Sequence, residues 1–441
     1  MRIKKIEITN FKGFRERTVA LHEHLTVVIG NNTAGKTTLL KALQVALGGY
    51  LQCLKRLPKI NNQYQCNFSK HDRYMVFDEQ LRDYVCQPEN TRIAVEADYF
   101  STLSVDNGVP VFEPKTISWY REYIGNRTPN TRRCLGNLMD VVDATERARF
   151  EEHADAVFPL VLSFGAKRTS DAQVKLSGKV KERAASLEKA YKFALHDRVD
   201  FEGAIEWLSK YDKNIRDKKE FEGTREAFYE ALQTAIPALS EVDFDHNEIE
   251  AVVSVRGRQP ERHHFSYMSD GLQAMINIVT EIAHRCIELN GFLGINAVRY
   301  TPGIVMIDEI DLYLHPHWQR HVLQDLQKAF PMIQFVVTTH SPFIVQSVQR
   351  GQLVSFDEGI TTEGEPYKES LEDITEERMG LHQELRSKRF EEMERVAADY
   401  YRKLSEGEED KTLLDALRQI ELDFSDDPAY VALLRAEYKT K

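Results

Sequence analysis

The chain has 441 residues, 42% of them hydrophobic, and carries 58 Lys and Arg against 69 Asp and Glu, a formal net charge of −11. So much apolar material excludes disorder as the dominant state, and the acidic balance excludes a protein coated all over in nucleic acid, though not one with a local basic groove. No run approaches the roughly 20 apolar residues of a bilayer helix, the start MRIKKIEITNF alternates like a strand rather than a signal peptide, and the five cysteines, with no CxxC pair, read as free thiols of a reducing, cytoplasmic compartment.

In chain order, Ile3, Ile6 and Ile8 lie in a β-prone run, and LTVVI (Leu25 to Ile29) is the short continuous apolar stretch of a buried strand. Directly after it comes Gly30-Asn31-Asn32-Thr33-Ala34-Gly35-Lys36-Thr37-Thr38. In the LLKALQVALGG that follows, Leu39, Leu40, Leu43, Ala46 and Leu47 have helical spacing, and Gly48-Gly49 predicts a stop. From Leu51 to Pro159 the pattern is weak, with one strand expected around Arg92 to Tyr99. FPLVLSF (Phe158 to Phe164) reads as a second buried strand. Residues 170 to 232 read as helical, and residues 167 to 219 form the one extended stretch in which basic residues outnumber acids. Leu272, Met275, Ile276, Val279, Ile282, Ala283, Cys286 and Leu289 predict a long half-buried helix starting near Ser269. Two further strands end in polar residues: GIVMI in Asp308-Glu309 and QFVVTT in His340-Ser341-Pro342. Beyond Asp357 the chain turns acidic, with helices expected over Leu381 to Leu404 and Lys411 to Ile420.

Gly30-x4-Gly35-Lys36-Thr37 matches the phosphate-binding loop GxxxxGK[ST] in full. A glycine-rich turn before a helix points its N–H groups at anionic oxygens, so a nucleotide triphosphate is the expected ligand. Lys36 would reach its β and γ phosphates, and Thr37 would give a hydroxyl to Mg²⁺. Asp308 would complete the magnesium shell and Glu309 would polarise the attacking water. His340, at the end of another strand, is suited to sense the γ phosphate. More than half the chain separates Lys36 from Asp308, so a large insertion is expected between the two halves of the site.

The set ITNFKGF (8 to 14), the phosphate loop, Met268-Ser269-Asp270-Gly271, VMIDEIDLYLHP (305 to 316) and TTHSP (338 to 342) resembles the ABC-type ATPases of the SMC and DNA-repair kind. FPLVLSFGAKR, the helix following MSDG and FSDDPAYVALL (424 to 434) resemble the ATPase subunit of Septu-type antiphage defence systems. The resemblance implies an α/β fold, an ABC-type ATPase head with a mixed β-sheet and phosphate-loop core. Its N-terminal lobe would span 1–165, a helical insertion 166–240, a C-terminal lobe with the signature 241–356, and an acidic helical region 357–441. It also implies a homodimer, with Ser269, Asp270 and Gly271 of one copy closing over ATP held by the other, further assembly into an oligomer, and a separately encoded HNH nuclease partner. Lys12, and with it Arg15, matches a position at which related heads contact nucleotide phosphate. The glutamine of the loop between lobes stays open among Gln63, Gln65 and Gln87.

Other clusters read more plainly. His315, His317 and His321 lack a catalytic glutamate between the last two, which disfavours a metal site. Lys175, Lys179, Lys181, Arg183, Lys189 and Lys192 suit a DNA path or, equally, a solvated helix face. No nuclease motif stands out, with only Asp423 and Asp426-Asp427 in the acidic tail. Two competing readings remain: an SMC-like DNA clamp, for which residues 170 to 237 offer little helix, and a transporter ATPase, from whose LSGGQ signature MSDG departs.

Overall fold

The computed structural model describes residues 1–58, 62–86, 90–106, 109–124, 127–129, 131–166, 186–197, 201–245, 248–254, 259–357, 359–360 and 362–380, with scattered positions beyond. The strands are β1 (Arg2–Phe11), β2 (Phe14–Ala20), β3 (Leu25–Ile29), β4 (Met75–Asp78), β5 (Asp83–Cys86), β6 (Thr91–Asp106), β7 (Val109–Tyr123), β8 (Leu160–Phe164), β9 (Leu239–Asp245), β10 (Glu248–Val253), β11 (Glu261–His264), β12 (Gly303–Ile307), β13 (Ile333–Thr338) and β14 (Leu353–Ser355). The helices from the N-terminus through the signature are α1 (Lys36–Cys53), α2 (Arg132–Phe150), α3 (Ser186–Tyr191), α4 (Phe201–Arg216), α5 (Thr224–Ala235) and α6 (Asp270–Asn290).

Five parallel strands in the order β14-β3-β13-β12-β8 make the central sheet. Every residue of β3, β8, β12 and β13 is buried, as expected where helices and a second sheet cover both faces of parallel strands. Four antiparallel strands, β2-β1-β6-β7, form the second sheet, and α1 packs between the two. Helix α1 is therefore buried nearly all round. Gln334 of β13 pins the sheets together: its side chain accepts from Ile3 N and donates to Ile3 O, both at 2.8 Å. A third sheet, β11-β10-β9, precedes α6.

The expected stop at Gly48-Gly49 does not occur, because α1 runs on to Cys53. A Cβ on Gly48 would lie 2.1 Å from the Cys66 carbonyl, so this glycine allows close packing inside a helix rather than ending it. The weakly patterned region from Leu51 to Pro159 holds the long β6–β7 hairpin, whose register runs from Thr91↔Tyr123 to Asp106↔Val109, and the kinked helix α2. The expected strand at Arg92 to Tyr99 is its middle part. The four residues Lys175, Lys179, Lys181 and Arg183 and most of the two expected tail helices lie outside the described residues.

The chain divides into two compact units, Met1–Ile374 and Thr375–Lys441. In the second, helical positions Asp399 and Arg402 pair through an N–H···O bond of 3.1 Å. No helix among the described residues is long and apolar enough to cross a membrane. Cys53, Cys66, Cys134 and Cys286 are buried free thiols, and Cys86 is half-buried and free.

Candidate functional site

The parallel order of the central sheet gathers the polar strand ends at one edge. β3 runs into the loop Gly30 to Gly35, and the loop's left-handed turns fall at Gly30 (φ 148°), Thr33 (φ 77°) and Gly35 (φ 106°). Gly35 is required twice over, since a Cβ there would come within 2.4 Å of the Phe14 ring. The loop residues Asn31, Asn32 and Thr33 are exposed and Ala34 is half-buried. Lys36, Thr37 and Thr38 form the first turn of α1, where the leading N–H groups of a helix have no partner within the helix itself.

Lys36 is buried, and its amine donates to Gly30 O (2.6 Å) and Asn31 O (3.1 Å). Burial lowers its pKa below the ordinary lysine value, while Asp357, Asp308, Glu309 and Asp311 pull the other way. This is a desolvated cation surrounded by carboxylates, an environment in which an added polyanion holds the charged form.

Although they stand 271 positions apart in the sequence, Thr37 Oγ1 donates to Asp308 Oδ2 at 3.1 Å. Asp308 follows β12 directly, and its N–H donates to Phe164 O of β8 (2.9 Å). Thr338, the last residue of β13 and fully buried, sits between the two acids. Its hydroxyl donates to Asp308 Oδ1 (2.6 Å) and accepts from Glu309 N (2.8 Å). Glu309 has left-handed backbone (φ 50°), a conformation that costs a non-glycine residue roughly 1–3 kcal/mol and that the Thr338 bond helps to hold. His340 lies exposed two residues beyond, at the same edge between the ends of β3 and β12.

A second tier of bonds fixes the loop after Glu309. Thr339 Oγ1 donates to Asp311 Oδ1 (2.5 Å), Ser341 Oγ donates to Gln319 Oε1 (2.7 Å), and Gln319 Nε2 donates to Leu314 O (2.9 Å) and Asp311 O (3.2 Å). The signature lies against this loop, because a Cβ on Gly271 would meet Tyr313 O at 2.6 Å. Ser269 is the N-cap of α6, but its hydroxyl does not bond its own helix. Ser269 and Asp270 are exposed, and Tyr267 just before them is 79% exposed.

The structure thus brings together Gly30 to Thr38, Asp308, Glu309 and the strand end that carries His340. Among the described residues, no hydrogen bond or ion pair joins Ser269, Asp270 or Gly271 to the phosphate loop within one chain. Lys12, in left-handed backbone (φ 49°), turns its amine to the buried Asp72 (3.5 Å). The main-chain carbonyl of Gln63 accepts from Phe193 N and Gln65 Oε1 accepts from Asn67 Nδ2, while Gln87 lies outside the described residues. His317 and His321 face each other edge to face at 5.6 Å, and no three-residue cluster able to hold a metal occurs among the described residues.

Sequence reasoning missed Asp357, whose two carboxylate oxygens accept from Asn31 N at 2.9 and 3.0 Å, as well as Thr338, Asp311 and Gln319. The polar pair Thr338-Thr339 preceding His340 was the available signal for two of these contacts. Asp357, at the far end of the chain from the loop, gave none.

Thr37 and Asp308 are two hard oxygen donors already within hydrogen-bond distance of each other, a donor set suited to Mg²⁺. A family model described as an AAA domain matches residues 5–240, and a second AAA-domain model matches 146–346. The "Retron Vc95 probable ATPase" of Vibrio cholerae serotype O1 biovar El Tor is 22% identical, over 81% of this chain and 74% of that protein. The "Septu protein PtuA" of Bacillus thuringiensis is 31% identical over 36% of this chain and 41% of its own. The SMC head domain from Thermotoga maritima aligns over 80% of this chain and 94% of that structure, with 15% identity and a TM-score of 0.40. With a phosphate loop, a strand-end acid pair and a matching family model over more than half its length, the chain belongs to the AAA-domain family.

Proposed function

We propose that this protein is the ATP-hydrolysing subunit of a cytoplasmic antiphage defence complex, in which two or more copies close composite ATP sites and so govern an associated HNH nuclease. The observation that carries the reading is the Thr37–Asp308 contact of 3.1 Å, which joins the two distant halves of a nucleotide site, with Glu309 held next to it by Thr338. The names of the retron and Septu relatives support the cellular role.

In this reading the N–H groups of residues 33 to 38 and the Lys36 amine cradle the triphosphate, and Lys12 turns from Asp72 to a phosphate oxygen. Thr37 and Asp308 would hold Mg²⁺, which supplies Lewis-acid neutralisation of the phosphate oxygens. Glu309 accepts the proton of the attacking water, and His340 donates to the γ phosphate. Ser269, Asp270 and Gly271 act on the ATP of the other copy, since a serine hydroxyl and free amides at a helix start make an anion site that stays incomplete until a partner docks. The exposure of Ser269 and Asp270, and the absence among the described residues of any bond from them to the phosphate loop of their own chain, support action in trans.

Lys36→Ala removes the phosphate cation and Glu309→Gln the base. Both variants should fold and lose turnover, and Glu309→Gln should accumulate an ATP-bound dimer by light scattering. Unchanged hydrolysis in both would remove the assignment. Affinity purification from cells tests the partner: co-elution of a nuclease supports it, whereas salt-resistant DNA retention without a nuclease favours a DNA clamp.

A further inference from the structure

The segment from Ala190 to Asp197, where α3 ends, is bonded on one side to the helix that rises from the phosphate loop and on the other to the helix that rises from the signature. We propose that it is a strap coupling α1 to α6, and that Asp197 is a positioning residue for ATP turnover. This rests on the ATPase reading above.

On the α6 side, Arg285 is buried and paired with Glu281 (Nε to Oε1 2.7 Å). It spends its two terminal nitrogens on the strap, Nη1 donating to Ala190 O and Nη2 to Lys192 O (2.9 Å). A buried guanidinium that satisfies main-chain carbonyls fixes the path of those carbonyls, because leaving either donor unmade is costly in a dry interior.

On the α1 side the strap is held twice. Tyr191 Oη donates to Pro159 O and receives the Tyr50 hydroxyl, both at 2.8 Å, beside the end of α1. Asp197 Oδ1 accepts from Gln44 Nε2 (2.5 Å) and from Ser163 Oγ (2.6 Å). Gln44 lies two turns into α1 from Lys36, and Ser163 is in β8, one residue before the carbonyl that accepts the Asp308 N–H. Between these anchors, Ala194 O accepts from Ser163 N (2.8 Å).

Asp197 reaches its two donors from left-handed backbone (φ 55°), and its Cβ lies only 2.8 Å from where a Cβ on Gly165 would sit. An exposed loop aspartate gains little from that conformation alone. Here the conformation is what points the carboxylate at the phosphate-loop helix. A movement of α1 on nucleotide binding must therefore either carry the strap, and through Arg285 the body of α6, or break these bonds. Since Ser269 caps α6 and Asp270 and Gly271 form its first turn, the signature's orientation is tied to the state of the phosphate loop in the same chain.

The test uses the full-length chain carrying Asp197→Ala, Asp197→Asn or Ser163→Ala. Asparagine keeps an oxygen acceptor and tolerates left-handed backbone. A small misplacement of reacting groups costs one to two orders of magnitude in rate, so Asp197→Ala should lower kcat about tenfold or more with KM for ATP within about twofold. Asp197→Asn should recover most of the rate and Ser163→Ala should fall between. Hydrogen exchange over residues 280–290 should slow on adding a non-hydrolysable ATP analogue in the parent but not in Asp197→Ala. If the parent binds no nucleotide, the ATPase reading falls. If the parent binds and responds and Asp197→Ala responds equally, or its kcat stays within twofold, the strap is refuted. Should Asp197→Ala not fold, an undiminished kcat in Ser163→Ala refutes it.

Discussion

Thr338→Val replaces a hydroxyl with a methyl at nearly constant volume in a fully buried position, so the perturbation is chemical rather than steric. It removes a charge-assisted bond to Asp308 (2.6 Å), worth about 1.5–3 kcal/mol, and strips the Glu309 N–H of its acceptor (2.8 Å), at about 1–3 kcal/mol for a donor left unmade. The two losses share one hydroxyl and do not add fully, so a total near 3 kcal/mol is expected. The effect on turnover has a separate origin. Asp308 loses its orienting partner, and Glu309 loses the bond that holds its left-handed backbone. Removing a group that orients a metal-binding carboxylate typically costs 10- to 100-fold in metal affinity or activity. Titrating Mg²⁺ into steady-state ATPase assays should show half-saturation raised by at least about tenfold in Thr338→Val, with Thr338→Ser close to the parent. A Mg²⁺ dependence in Thr338→Val within twofold of the parent would refute the argument that this hydroxyl fixes the acid pair.

Gly271→Ala should abolish turnover while leaving ATP binding to the phosphate loop intact in equilibrium dialysis. An alanine within a helix is ordinarily favoured by about 1 kcal/mol, but here its Cβ would stand 2.6 Å from Tyr313 O and drive the loop after Glu309 away. Asp357→Asn removes a negative charge bonded to the phosphate loop, so ATP affinity should rise a few-fold at low ionic strength, with the gain shrinking as salt screens it; reduced affinity by titration calorimetry would mean that Asp357 serves the loop's conformation instead. Arg285→Ala strands Glu281, whose side chain is 1% exposed, and should destabilise the fold by about 3–5 kcal/mol in denaturant titrations, with Arg285→Met plus Glu281→Leu recovering part of the loss. As pH rises, nucleotide-free Lys36 should lose its proton earlier than an ordinary lysine. ATP binding should then be accompanied by proton uptake on the alkaline side, measurable by calorimetry in buffers of different ionisation heat.

The parts of this site that were legible in the sequence are those written contiguously. LTVVI followed by Gly30 to Thr38, GIVMI followed by Asp308-Glu309, and QFVVTT followed by His340 each announce a buried parallel strand and the polar residues at its end. Strands running parallel in one sheet must deliver those ends to one edge, so the convergence of Thr37 on Asp308 follows from topology once the strands are recognised. The β6–β7 hairpin was only partly legible because its outer half, beyond Tyr99, carries Ser, Thr, Asp and Pro residues that break the alternation. The helix stop at Gly48-Gly49 failed for the opposite reason: a strong local signal was overridden by a backbone carbonyl packed where a side chain would stand.

What the sequence could not disclose are the contacts that make the site a unit. Asp357 reaches Asn31 across 326 residues and Asp197 reaches Gln44 across 153, and neither acid sits in a pattern distinguishing it from the many solvated acids of a chain with net charge −11. Their partners are a main-chain N–H and a buried amide, groups present throughout any protein and informative only once the fold has brought them near. In the proposed reading the motifs carry the atoms that would meet the nucleotide, whereas the bonds tying the surrounding elements together run through Thr338, Gln319, Asp197 and Arg285, each to its own main-chain or side-chain partners. Substitutions at these positions should therefore separate binding from turnover, because they leave the phosphate loop's own contacts unaltered while releasing the elements that the loop must move.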